Sequence, residues 1–146
     1  MRVLVMVKGT SETENESTPP EVMEKMFLEM GKFNEELVNA GVMLSGEGLL
    51  PSSKGHKVNF RGDERTVVDG PFTEAKELVA GFWIWQVNSM EEAIEWAKKC
   101  PNPTGQEGQL EIRQIASEED FGEAYTPEVK EQEDRLRAEL ESRQQG

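Results

Sequence analysis

Apolar residues along this chain fall into two periods. The run at residues 2–8 (RVLVMVK) is short, β-branched and apolar on both faces, the pattern of a central strand. Residues 9–18 are polar and acidic and predict a mobile loop. A helix start follows in Thr18-Pro19-Pro20-Glu21, with Thr18 as N-cap, Pro19 at the first helical position and Glu21 closing a capping box. Val22, Met26, Met30, Phe33 and Leu37 then recur at helical spacing, and Gly41 is placed to stop the helix in a left-handed cap. Residues 42–50 suit a second strand and 51–55 a turn-rich connection. Residues 57–61 and 65–69 predict a hairpin closed around Gly62-Asp63.

GFWIWQV at 81–87 is an aromatic strand. Ser89-Met90-Glu91-Glu92 is a second capping box, opening a helix that runs to Cys100 before Pro101. At 110–115, Leu110, Ile112 and Gln114 alternate against Glu111, Arg113 and Ile115, as in a last strand. Thr126-Pro127 opens an acidic helix to about Gln144, with Leu136 and Leu140 as its clearest apolar pair. With the 56–69 hairpin set aside, the order is β-α-β-β-α-β, the split βαβ arrangement. A core domain at 1–116 is therefore expected, with an acidic helical extension at 117–146. Within 81–87, Phe82 and Ile84 face one side and Trp83 and Trp85 the other. If helices cover the first side, the Trp side needs another sheet or a ligand, which favours a sheet-to-sheet homodimer.

Composition narrows the function classes. A chain of 146 residues is one domain in length, and 36% hydrophobic with 31% charged residues is a soluble balance. A net charge of −13 argues against nucleic acid and anionic membranes as partners. About half of that excess lies after Ser117, where ten acids face four bases. The lone Cys100 cannot form an internal disulfide, no apolar run approaches membrane-spanning length, and the N-terminus lacks the pattern of a signal peptide. The expected location is the cytoplasm.

The most specific stretch is Asp69-Gly70-Pro71-Phe72-Thr73-Glu74-Ala75-Lys76-Glu77. Pro71 ends the strand, Gly70 lets the backbone turn where a Cβ would clash, Phe72 can anchor the turn, and Thr73 can cap a short helix. An acid is thereby presented at a rigid strand-to-helix corner. Held there partly buried, a carboxylate would titrate above its ordinary range and take or donate a proton. The plainer alternative is an Asp that accepts backbone hydrogen bonds at its own turn. Glu47, between Gly46 and Gly48, would line the same pocket as Asp69 or face solvent. Close together, the two carboxylates would form an acid/base pair. His56, the only histidine, lies in a turn-rich stretch where an exposed ring is the ordinary outcome, with a place in the pocket as the alternative. Arg113 would anchor an anionic ligand or pair with a surface acid. One His and one Cys cannot make a usual zinc site, and no metal or cofactor is expected. At a helix C-terminus, Cys100 is poorly placed to be a thiolate nucleophile.

The motif Asp69 to Phe72 resembles that of the DGPF-domain branch of the YCII-related family. The resemblance extends through Phe33-Asn34-Glu35-Glu36-Leu37, Gly46-Glu47-Gly48-Leu49, Gly81-Phe82-Trp83, Ala93-Ile94-Glu95-Trp96, Glu111-Ile112-Arg113 and Glu119-Asp120-Phe121-Gly122. It implies an α+β, ferredoxin-like βαββαβ core of the dimeric α+β barrel type, with a cleft near the motif. Read with the residue arguments above, the expected ligand is a small polar or carbonyl-containing metabolite in a cleft bounded by Asp69 and Glu47, with His56, Phe72 and Arg113 in binding roles. As an enzyme the protein is expected to do metal-free isomerisation, elimination or hydrolysis, with Asp69 as the acid/base. The alternative, which the resemblance implies, is a non-catalytic sensor or accessory protein, with a regulatory protein partner linked to sigma-factor transcription control. Some members carry a His soon after the first strand, but this chain has none between Lys8 and Pro20.

Overall fold

A computed structural model of the chain describes residues 1–102 and 107–145, so Gly146, the last residue of the expected extension, lies outside it. The elements in order are β1 (Arg2–Lys8), α1 (Pro20–Asn39), β2 (Met43–Gly48), β3 (His56–Arg61), β4 (Glu64–Asp69), β5 (Val79–Gln86), α2 (Met90–Lys98), β6 (Leu110–Gln114) and α3 (Pro127–Gln145). Short 3₁₀ turns lie at Ser52–Lys54, Ala75–Glu77 and Glu118–Ala124. The chain divides into two compact units, Met1–Ile115 and Ala116–Gly146. No described helix is long and apolar enough to cross a membrane.

In the first unit, β2, β5, β1 and β6 form one sheet in that order, with every neighbouring pair antiparallel. Two βαβ crossovers, each leaving room for a strand of the other, produce this order. The core is therefore ferredoxin-like and of the α+β class. The β3–β4 hairpin is inserted between β2 and β5 as a separate two-stranded sheet.

The helices cover the face that holds Val3, Val5, Trp83 and Trp85. Phe33 and Leu37 of α1 and Ala93 of α2 join these residues in one buried cluster. The Phe33 ring meets Trp83 and Trp85 edge-on, at centroid distances of 5.8 and 6.3 Å. Full burial of side chains such as Leu37, Val3 and Val5 is worth about 1.5–3 kcal/mol each. This arrangement reverses the expectation that the Trp83/Trp85 side would await a second sheet, because Phe33 fills it. The open side is the other one, where Leu4, Met6, Phe82 and Ile84 are half-buried.

Local signals held at one end of α1 and failed at the other. Gly41, at φ 73°, ends the helix: its N–H donates to Val38 O, and that of Val42 donates to Leu37 O. These two bonds, with the Val42–Leu37 contact inside the core cluster, make a Schellman cap. At the start, Pro19 is the N-cap and makes no side-chain cap bond, so Thr18 does not cap. Its hydroxyl donates instead to Asn15 O. In α2, Ser89 Oγ accepts from Glu92 N as expected, and the helix closes at Lys98 before Cys100.

In the second unit, Thr126 Oγ1 accepts from Val129 N and caps α3. Phe121 stacks on Tyr125 at 6.5 Å. The Tyr125 hydroxyl donates to a Glu133 carboxylate oxygen, and that bond, followed by burial and nearby acids, pushes the phenol up to about 12.

Candidate functional site

The hairpin ladder sets the geometry of the candidate site. With the turn at Gly62-Asp63, His56 pairs with Asp69, Val58 with Val67 and Phe60 with Arg65. Cross-strand partners point to one face, so the last rung brings imidazole and carboxylate together. His56 Nδ1 lies 2.8 Å from Asp69 Oδ1. His56 is thus the first residue of β3 and has a partner, where the sequence suggested a lone loop side chain.

The turn after Asp69 is held by close contact. Gly70 N donates to Gly55 O at 2.9 Å, and a Cβ at Gly70 would lie 1.8 Å from Ser52 O. Only glycine fits there. Phe72 N donates to Ser52 Oγ at 2.9 Å, and Lys57 Nζ sits 4.3 Å from the centre of the half-buried Phe72 ring. Lys57 also pairs with Glu77 at 2.6 Å. Thr73 caps nothing: one 3₁₀ turn follows, with Glu74 as its uncapped N-cap. The Asp-Gly-Pro-Phe stretch therefore clips the hairpin base to the 52–55 turn.

Glu14 extends this clip, and no sequence signal had singled it out. Its carboxylate accepts from Ser52 N at 3.1 and 3.2 Å and from Ser52 Oγ, while Glu16 accepts from Ser53 Oγ. The segment after β1, expected as a mobile loop, is thereby tied to the motif through Ser52.

The remaining candidates stand elsewhere. Glu47 on β2 pairs with Phe82 and is exposed on the open face of the four-stranded sheet. Among the described residues, no hydrogen bond or ion pair joins it to Asp69. Arg113 is exposed on β6 and lies 3.6 Å from Glu111, the surface pair that was its plainer reading. Burial pushes the Cys100 thiol up to about 11, away from thiolate chemistry.

The His56 and Asp69 side chains are 63% and 78% exposed, so one chain does not supply the burial that the acid/base reading of Asp69 required. Among the described residues, two surface depressions of this unit stand out. One, of about 590 Å³, is lined by Lys8, Lys76 and Glu111 among others, and one of about 330 Å³ by Met26, Met30 and Cys100. Neither is lined by Asp69, His56, Glu47, Phe72 or Arg113.

Comparison with known proteins places this chain in a family. An uncharacterised protein of Rhizobium meliloti (strain 1021), R00369, is 28% identical over 93 residues, which cover 64% of this chain and 75% of that one. A solved structure of 5-chloro-2-hydroxyhydroquinone dehydrochlorinase (TftG) from Burkholderia phenoliruptrix AC1100, in complex with 2,5-dihydroxybenzoquinone, is similar at a TM-score of 0.39. It is 15% identical, and the match covers 82% of this chain and 98% of that one. The model of the YCII-related domain matches residues 1–119, most of the chain, and this protein belongs to the YCII-related family.

Proposed function

We propose that this protein, as a DGPF-type member of its family, binds a small polar, carbonyl-containing metabolite at the His56–Asp69 pair and moves a proton on it. The observation that carries the reading is the 2.8 Å contact between His56 Nδ1 and Asp69 Oδ1. An ionised carboxylate only accepts, so Nδ1 carries the hydrogen and donates it. That tautomer leaves Nε2 with a free lone pair, and the carboxylate would offset the charge of the imidazolium formed when Nε2 takes a proton. Asp69 then orients and balances, and His56 exchanges the proton. The chemistry within reach is metal-free isomerisation, elimination or hydrolysis. Lys57, with the Phe72 ring beneath it, belongs to the rung after His56, so it points to the opposite face of the hairpin and is paired with Glu77. Phe72 serves the site by anchoring the turn after Asp69. Glu47 and Arg113 join the site only if the open sheet face borders the same cleft.

In this reading the protein is a cytoplasmic homodimer that pairs through the Leu4, Met6, Phe82 and Ile84 face. Residues 1–116 form its working domain, and 117–146 an appendage. The exposure of both side chains in one chain favours a second reading, a non-catalytic sensor or accessory protein for a transcription regulator. A thermal-shift screen of small oxo and carboxylic acids tests both. A ligand at a hundred times its Kd stabilises by about 2.7 kcal/mol, and Asp69→Asn or His56→Gln should at least halve that shift. Turnover of the ligand marks an enzyme, and binding without turnover marks a sensor.

A further inference from the structure

We infer that the β3–β4 hairpin docks on a second copy of this chain and that the contact supplies the missing wall of the His56–Asp69 site, whose role rests on the reading above. The hairpin register places His56, Val58 and Phe60 on one face with Asp69, Val67 and Arg65 opposite them. On this face Val58 is 54% exposed, Val67 64% and Phe60 73%. The Arg65 guanidinium lies 4.3 Å from the centre of the Phe60 ring, while Val58 and Val67 stay exposed beside it. A two-stranded ribbon is marginal in water by itself, and an exposed apolar rung beside a polar pair marks an interaction surface.

Charge points to the chain's own copy as the occupant. The whole chain carries −13, yet residues 56–69 hold three bases, Lys57, Arg61 and Arg65, against three acids, Asp63, Glu64 and Asp69. This neutral segment can approach a second acidic copy without repulsion. Another exposed apolar band, with Met23, Phe27 and Leu28 on α1, shares its helix with five glutamates and two lysines. Two copies would repel there.

Area points the same way. Four strands of five to eight residues spread over roughly 19 by 22 Å, on the order of 400 Å² in projection. A stable interface takes about 800 Å² from each partner. Sheet-to-sheet contact alone falls short, and the hairpin, joined to the sheet through β2 and β5, adds a second apolar patch. Under a twofold axis each patch is used by both subunits, so two equivalent sites close at once.

The test combines light scattering with carbethoxylation of His56, the only histidine. Wild-type protein at micromolar concentration should show about twice the 16.5 kDa chain mass. Val58→Lys/Val67→Glu replaces the apolar rung with an opposite-charge rung that keeps the hairpin paired. This variant should weaken the dimer by about a hundredfold, and its His56 should react about tenfold faster or more. Dilution of wild-type protein to monomer should raise the same rate without any substitution. A monomeric wild type, or a variant that stays dimeric, overturns the docking. A monomer whose His56 reacts no faster overturns the shared wall. If the dimer behaves as stated but Asp69→Asn leaves ligand binding intact, the functional reading falls and this inference stands.

Discussion

His56 and Asp69 are the closing rung of the β3–β4 ladder, with Nδ1 and Oδ1 2.8 Å apart although thirteen positions separate them in the chain. The pairing depends on register, because a one-residue slip turns either side chain to the opposite face. Whatever holds the hairpin base therefore holds the site, and the Gly70 contact with the 52–55 turn does so most directly.

Gly70→Ala should destabilise the protein by about 1–3 kcal/mol, toward the upper end because the clash is with backbone that cannot swing aside. The added Cβ would stand 1.8 Å from Ser52 O. A denaturant midpoint compared with wild type measures the loss. An unchanged midpoint would mean that the turn has room that the structure does not show.

Ser52→Ala separates the clip from the chemistry. It removes the hydroxyl that accepts from Phe72 N and donates to Glu14, while leaving His56 and Asp69 in place. Loss of one such hydrogen bond with a charged partner costs about 1.5–3 kcal/mol. Hydrogen exchange at Phe72 and in residues 9–18 should speed up together. Faster exchange at only one of the two would show that they are not tied through Ser52.

Cys100 predicts an alkaline transition. Burial raises the thiol from 9.0 to about 11, so the folded state holds its proton more tightly than the unfolded state. The associated stability is complete below pH 9 and is lost as pH rises toward 11. Cys100→Ser should flatten stability over that window. Alkylation of the native thiol at pH 8 should run on the order of a hundredfold slower than that of a free thiol. A native rate equal to the free-thiol rate would contradict the burial.

A chain ending at Ala116 should melt cooperatively and keep its far-UV strand signal. The unit Met1–Ile115 holds the whole buried cluster from Val3 to Ala93. An unfolded truncation would show that residues after 116 belong to the core.

Much of this architecture was legible in the sequence because it is carried by local pattern. The phase of Phe33 and Leu37 marked the buried face of α1, Gly41 its end, and Gly70 the turn that admits no Cβ. Which side of β5 the helices take was not legible, since alternation separates two faces without saying which one receives Phe33. The His56–Asp69 contact was within reach. A ladder closed at Gly62-Asp63 and extended one rung beyond Lys57 pairs the only histidine with the motif's acid. The polar surroundings of His56 obscured this, because Ser and Gly next to a histidine read as loop. The Glu14–Ser52 link joins residues 38 positions apart, and no periodicity encodes such a contact.

The central claim is that His56 and Asp69 work as one ligand-binding, proton-moving unit. NMR of the single histidine tests it most directly, following the His56 ring resonances in wild type and Asp69→Asn during titration with each small-acid ligand found by thermal shift. The account predicts that a ligand shifts the His56 signals in wild type and that Asp69→Asn, while as stable as wild type, binds it at least tenfold more weakly. For a ligand that is turned over, the substitution should cost about a hundredfold in rate. A ligand that binds Asp69→Asn as tightly as wild type, with the His56 resonances unmoved in both, would contradict the claim.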